Sequence, residues 1–247
     1  MKLTPIKTHK ITKEDKDILK ILDKYIVSMK ENSVLAITSK IVAVCEGRVV
    51  EISKTNRDEL VEKEAEIYLS PRENKYGFHI TVKHNMLIAS AGIDESNGNG
   101  YYVLWPKDPQ QAANQIRQYL KARFSLTNVG VIITDSKTTP LRWGVTGIAL
   151  SHSGFVALNT YVGKPDLFGR PLHVTKANAM DGLAASAVLV MGEGAEQTPM
   201  AIIEDVPFVE FQDRNPTQQE LDMLKIEIDD DIYAPFLKNA SWRRGKG

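Results

Sequence analysis

The run "VGVIIT" at residues 129–134 constrains the fold most. Five of its six residues are apolar or glycine, and four of those are β-branched. That make-up reads as a buried strand. It runs straight into Asp135, Ser136, Lys137, Thr138 and Thr139, with Arg142 close behind. A core strand that ends on a carboxylate and a hydroxyl, beside a guanidinium, presents polar chemistry at the margin of a core.

The 247 residues suffice for an ample core without covalent staples. Lys and Arg number 31 and Asp and Glu number 31, so the formal net charge is zero. Such a balance argues against a nucleic-acid partner or a membrane-surface field. Cys45 is the single cysteine. It allows no intrachain disulfide, fits a reducing compartment, and reads as core in the apolar run "KIVAVCEG". The N-terminal residues lack an apolar signal segment, and no run approaches ~18 apolar residues. A cytoplasmic, soluble protein is expected, with "SWRRGKG" as a frayed end.

Along the chain, residues 13–31 predict an amphipathic helix capped by Thr12. "FHITVKHNMLIAS" predicts a hairpin turning at Lys83, His84 and Asn85. "DPQQAANQIRQYLKARF" and the Ala-rich "KANAMDGLAASAVLVMG" predict helices, the second stopping at Gly192. "MAIIEDVPFVEF" predicts a final strand. Strands and helices alternate only in part, which predicts an α+β (mixed α/β) fold with mixed or antiparallel sheets. No linker splits the chain, so residues 1–247 read as one domain.

Common catalytic signatures are absent: there is no P-loop, no complete dinucleotide glycine loop, no H-E-x-x-H and no G-x-S-x-G. His152 lies between two serines in a strand, where neighbours face opposite ways, so no Ser–His dyad forms there. What remains are carboxylates at the ends of apolar elements: Asp94 after "MLIAS", Asp135 after "VGVIIT", and Glu193 after the Ala-rich helix. Carboxylates with a hydroxyl form a hard ligand set suited to Mg2+ or Mn2+. Taken singly, each reads first as a cap or turn residue.

The blocks "VLAITSKIVAVCEGRVV", "AGIDESN", "LWPKDPQQAANQIR", "VGVIITDS" with "PLRWGVTGIAL", "VGKPDLFGRPLHVT" and "DGLAASAVLVMGEG" follow one another in the order of the coenzyme F420-0:γ-glutamyl ligases. The chain resembles that family over about residues 33–205, leaving 206–247 as a C-terminal extension. The resemblance implies a homodimeric ligase that adds L-glutamate to a carboxylate acceptor. It implies GTP, or ATP, as co-substrate, with Mg2+ or Mn2+ and K+ as a candidate further ion. It carries metal-ligand roles onto Asp94, Asp135, Ser136 and Glu193. Nucleotide contacts fall on Ser39, Asn97, Met191, Gly192, Gly194 and Ala195. Arg142 and Arg170 are candidates for gripping phosphate or substrate carboxylate, with Asp94 and Asp135 as the other catalytic residues.

Two departures from the family pattern bear on the acceptor. Thr138 and Thr139 stand where Gly-Arg is common, and Val44 stands where a lysine is common. Fewer cations suit an acceptor without a phosphodiester, so a folate or pterin acceptor is expected ahead of F420-0, with Trp143 available to a flat ring. Competing expectations are a nucleotide-binding regulator without turnover and a metal-dependent phosphohydrolase.

Overall fold

Side-chain alternation along Ser33–Thr38 divides the core in two. Val34 and Ala36 join Ile132, Ala201 and Ile203 on one face, while Leu35 and Ile37 join Val131, Ile133 and Met200 on the other. Successive strand residues face opposite ways, so a run of apolar residues needs cover on both sides. The computed structural model, which describes residues 1–247, supplies it. A five-stranded sheet runs in the order β1 (Lys2–Ile6), β12 (Met200–Glu204), β2 (Ser33–Thr38), β8 (Val129–Thr139) and β9 (Arg142–Ser153). β2 and β8 are parallel, in register from Ser33↔Val129 to Thr38↔Thr134; the other neighbours are antiparallel.

Helices α1 (Ile18–Tyr25), α2 (Ser39–Cys45) and α4 (Pro109–Phe124) cover one face through Leu22, Ile41, Ala113, Ile116 and Leu120. Helix α5 (Ala179–Met191) covers the other through Leu183, Ala184 and Ala187. Each large side chain buried this way contributes about 1.5–3 kcal/mol. The small residues of α5 have a specific reason: a Cβ at Gly147 of β9 would sit 2.6 Å from the Ala184 carbonyl oxygen. Helix and strand backbones touch there, and only small residues permit it.

A second, four-stranded sheet has the order β13 (Arg243–Arg244), β4 (Ile67–Leu69), β5 (Ile80–Lys83) and β6 (Met86–Ala89), backed by α3 (Arg57–Glu64). Strands β3 (Val49–Glu51) and β7 (Tyr101–Val103) pair nearby, and β10 (Leu158–Thr160) pairs with β11 (Lys176–Asn178). Two short helices, α6 (Gln218–Asp222) and α7 (Ala234–Leu237), follow the central sheet. The fold is α+β, as expected. No helix is long and apolar enough to cross a membrane.

The hairpin turns at His84 and Asn85, whose φ values of 49° and 59° are those of a tight two-residue turn. Other expectations are corrected. The first helix is shorter than 13–31, because Asp15 accepts from the Thr12 amide and pairs with His9, which holds a turn. Asp17, not Thr12, caps α1 by accepting from the Leu19 amide. Cys45 lies in a helix, and burial pushes its thiol up to about 12, so the thiolate is not accessible near neutral pH. The basic tail is not frayed. β13 pairs with β4, and the amides of Gly245 and Gly247 donate to the Glu66 and Ala65 carbonyls.

Candidate functional site

The parallel pair β2–β8 builds the site. Its last register pair is Thr38↔Thr134, so Ser39 and Lys40 emerge beside Asp135 and Ser136 at the carboxyl ends of adjacent strands. Such strand ends are where open sheets containing parallel strands present ligand-binding groups. Past Thr134, β8 leaves the sheet centre as a ribbon with β9.

Asp94 reaches this corner from the loop after β6, held by reciprocal backbone bonds with Val103 of 3.0 and 2.8 Å. Its Oδ1 accepts from the Ser96 amide at 2.7 Å and its Oδ2 from the Ser96 hydroxyl at 2.9 Å. The Lys40 ammonium lies 2.6 Å from Oδ2. Burial pushes the Asp94 carboxyl up, but Lys40 and the Ser96 donors outweigh it and hold the group below the ordinary carboxylate range.

Asp135 is treated differently. Its Oδ1 accepts from the Ser136 amide at 2.8 Å and its Oδ2 from the Trp105 indole N–H. The residue keeps some exposed surface, yet its carboxylate is crowded on all sides. Burial, reinforced by the nearby Asp94 charge, pushes it up to about 6 against the opposing pull of both N–H donors. The third acid arrives from the end of α5: Glu193 Oε1 accepts from the Ser136 hydroxyl at 2.6 Å. Asn97 donates to the Gly194 carbonyl at 3.0 Å, joining the Asp94 loop to the Gly192–Glu196 turn.

The structure thus brings Asp94, Asp135, Ser136, Glu193, Asn97 and Gly194 to one corner, with Ser39 buried at the start of α2 beside them. Gly192 and Ala195 flank Glu193 in the same exposed turn. The acids form two polar pairs, not one cluster, and no three His, Cys, Asp or Glu side chains converge to hold an ion. The fit to a divalent cation rests on the chemistry of the pair: two neighbouring carboxylates share the single ammonium of Lys40. The buried one is bonded only to neutral N–H groups. A buried carboxylate without a direct counter-charge suits an added cation.

Arg142, Arg170 and Met191 make no bond to these acids within one chain. Arg142 sits at the tip of the β8–β9 ribbon opposite Thr139, while Asp135 pairs with Ile148 six residues further along. At ~3.3 Å per residue the two are far apart. Arg170 lies in the exposed segment between β10 and β11, its amide donating to Asp166 at 2.9 Å. Neither arginine reaches the acids of its own chain. Met191 packs its side chain in the core beneath α5, and its carbonyl accepts from the Thr198 hydroxyl. Val44 is also core, packed with Ala43 and Val103, so its apolar character answers to packing. Trp143 is exposed on the ribbon, edge-on to Tyr76.

Sequence reasoning missed Lys40, Ser96, Trp105 and Glu196. Lys40 and Ser96 adjoin motif residues and could have been found by charge and hydroxyl count. Glu196, whose Oε2 accepts from the Gly194 amide at 2.8 Å, reads as loop. Trp105 gave no signal, because its partner is 30 residues away. His152 is buried against Phe155, and its Nδ1 has no partner, as befits a residue outside the site.

Residues 5–205 match the profile of the family described as F420-0:Gamma-glutamyl ligase. Among curated proteins, the chain is similar to the Coenzyme F420:L-glutamate ligase of Methanococcus maripaludis strain C7, 36% identical over 208 residues, covering 81% of this chain and 79% of that protein. It is also similar to the same-named protein of Methanopyrus kandleri, 32% identical over 221 residues, 82% of this chain and 86% of that one. That of Methanocaldococcus jannaschii is 33% identical over 202 residues, covering 73% and 79%.

Proposed function

The chain belongs to the F420-0:gamma-glutamyl ligase family, and from that premise we propose that it is an acid–amino-acid ligase joining L-glutamate to coenzyme F420-0 at the expense of GTP. The observation that carries the reading is the meeting of Asp94, Asp135 and the Ser136–Glu193 pair at the ends of β2 and β8. We read residues 1–247 as one ligase unit.

A carboxylate is a poor electrophile. Transfer of a γ-phosphoryl group to the acceptor carboxylate, with departure of the nucleoside diphosphate, gives an acyl phosphate. The deprotonated glutamate amine then attacks the acyl carbon; the C–N bond forms, phosphate leaves, and the amine gives up its second proton. Asp94, Asp135, Ser136 and Glu193 would hold Mg2+ or Mn2+. When bound, such an ion neutralises phosphate charge. The chain's own tasks follow from its geometry. Lys40 supplies an ammonium at the same corner. Asn97 fixes the distance between the two loops that flank it. In the Gly192–Glu196 turn the amides of Gly192 and Gly194 already bond Val188 and Glu196, leaving those of Glu193 and Ala195 for phosphate oxygens.

The acceptor reading moves from folate or pterin to F420-0. Relatives named for coenzyme F420 support it, and the core position of Val44 removes one reason to expect an acceptor without a phosphodiester. A homodimer is supported by two arms that expose large apolar residues: Leu141 and Trp143 on the β8–β9 ribbon, and Leu167 and Phe168 between β10 and β11. These arms also carry Arg142 and Arg170, so a second copy is the route by which either arginine meets a set of acids.

The test is to give the purified protein GTP or ATP, Mg2+ or Mn2+, L-glutamate and either F420-0 or a folate, and to follow products by mass spectrometry. The reading expects a glutamyl adduct of F420-0 and phosphate release that depends on glutamate and acceptor. Phosphate release without either means a phosphohydrolase, and no release means a regulator. Elongation of the folate alone restores the pterin acceptor.

A further inference from the structure

We propose that Trp105 is a positioning residue: its indole N–H aims the Asp135 carboxylate, and a partly buried charge chain of Arg48, Glu64 and Lys83 holds the indole in place. The proposal rests on the ligase reading of the acidic corner.

Asp135 has one side-chain bond from outside its own strand. Oδ1 is satisfied by the amide of the next residue, Ser136, which follows from local backbone geometry. Oδ2 is bonded by Trp105 alone. The direction of the carboxylate across the corner is therefore set by where the indole lies. A tryptophan that served only as core filling needs an acceptor for its N–H, but any backbone carbonyl would do. Spending that donor on a buried carboxylate gives a charge-assisted bond that directs a functional oxygen.

The indole is fixed on every side. It is 1% exposed. Gly92 faces it, and a Cβ there would collide with Nε1, so the glycine is what lets the ring approach. The His84 ring stacks on it with centroids 5.8 Å apart and planes 13° from parallel. The Lys83 ammonium lies over the ring 5.6 Å from its centroid. Lys83 is itself buried and bonds Glu64 Oε2 at 2.7 Å, as does Arg48 Nη2 at 2.7 Å. Arg48 Nε closes the circuit on the Trp105 carbonyl at 3.1 Å. Lys83 from β5 thus meets the ring, Arg48 just before β3 holds the residue's backbone, and Glu64 at the end of α3 ties the two cations together. None of the three bonds an acid of the corner.

The experiment measures Mn2+ binding by calorimetry, with Mn2+ alone as probe, on the intact chain. Trp105→Phe keeps a ring and deletes the N–H. Trp105→benzothienylalanine, introduced at that codon, replaces the N–H by sulfur at nearly constant shape and covers the case in which the phenylalanine variant does not fold. The proposal expects Mn2+ to bind about 10–100-fold more weakly in both folded variants. It also expects kcat to fall while the KM for glutamate holds, with the melting temperature of the isosteric variant close to that of the parent. Unchanged Mn2+ affinity in the isosteric variant, alongside weakened binding in Asp135→Asn, overturns the role of Trp105 and leaves the site reading intact. Unchanged affinity in Asp135→Asn overturns both.

Discussion

The Lys40 ammonium lies 2.6 Å from Oδ2 of Asp94 and 3.0 Å from the Ser96 carbonyl. A side-chain cation therefore holds the oxygen that a metal ion would need, and the two compete for it. Lys40→Met should tighten Mn2+ binding to the nucleotide-free protein by about 1 kcal/mol, roughly fivefold, the scale of a partly exposed ion pair. Turnover should fall, because the corner loses an ammonium available to phosphate. Calorimetric titration with Mn2+ decides it: weaker binding in the variant means that the lysine supports the metal site instead of competing with it.

Asp94→Asn and Asp135→Asn remove one charge each with little change of shape. Each should lower kcat by about 100-fold or more, the scale of removing a group that faces transition-state charge. Circular dichroism should report a folded protein in both. Near-normal turnover at saturating Mg2+ and Mn2+ would remove the substituted residue from the site.

His152 sets an acid limit on stability. Burial pushes its imidazole down to about 4, against ~6.5 when exposed. Between those values the unfolded chain takes up a proton that the folded chain refuses. Stability is therefore complete above about pH 6.5 and falls as pH drops towards 4, by about 3 kcal/mol in all. Urea unfolding at pH 5 and pH 7.5 should show the loss in the parent and a clearly smaller one in His152→Gln. Equal losses would assign the acid sensitivity to other groups.

The tail depends on a missing side chain. A Cβ at Gly245 would collide with the Ala65 carbonyl oxygen, and three backbone bonds tie residues 245–247 to Glu62, Ala65 and Glu66. Gly245→Val should release the tail, uncover the β4 edge and cost about 1–3 kcal/mol. Trypsin should then cut after Arg243 and Arg244 much faster than in the parent. An unchanged digestion pattern would show that these bonds are not what protects the segment.

Local signals made much of this molecule legible. The β-branched run at 129–134 and the His84–Asn85 turn are fixed by nearby residues and formed where expected, and the Ala-rich helix stops at Gly192 as expected but starts at Ala179, Lys176–Asn178 pairing as β11 instead. Motif order carried Asp94, Asp135, Ser136 and Glu193 to one corner. The misreadings arise where a residue's place is set by a specific contact or by strand geometry that composition and motif order do not show. Asp15 was absorbed by His9 instead of starting a helix. Val44 was judged by charge when Val103 had already claimed it for the core. Arg142 looked close to Asp135 because seven residues is a short interval in sequence, yet along an extended ribbon it is a long distance. Trp105 could not be read at all without the fold that brings it to Asp135.

The parallel pairing of β2 with β8 has a kinetic consequence. Thr134 donates its hydroxyl to the Ile37 carbonyl across 97 residues of chain, and the entropy of closing that loop must be overcome before any contact in it is rewarded. Lys40 follows β2, Asp135 lies in β8 just past the part paired with β2, and Asp94 lies in the chain between them. Asp94–Ser96 contacts are local, but the Lys40 side of the corner comes beside Asp135 only once β2 has joined β8. Helix α4 and the β5–β6 hairpin are local structures free to form early, so recovery of metal binding should lag recovery of helical signal during refolding. The corner is a late product of folding, and the nascent protein cannot engage its substrates until the long loop has closed.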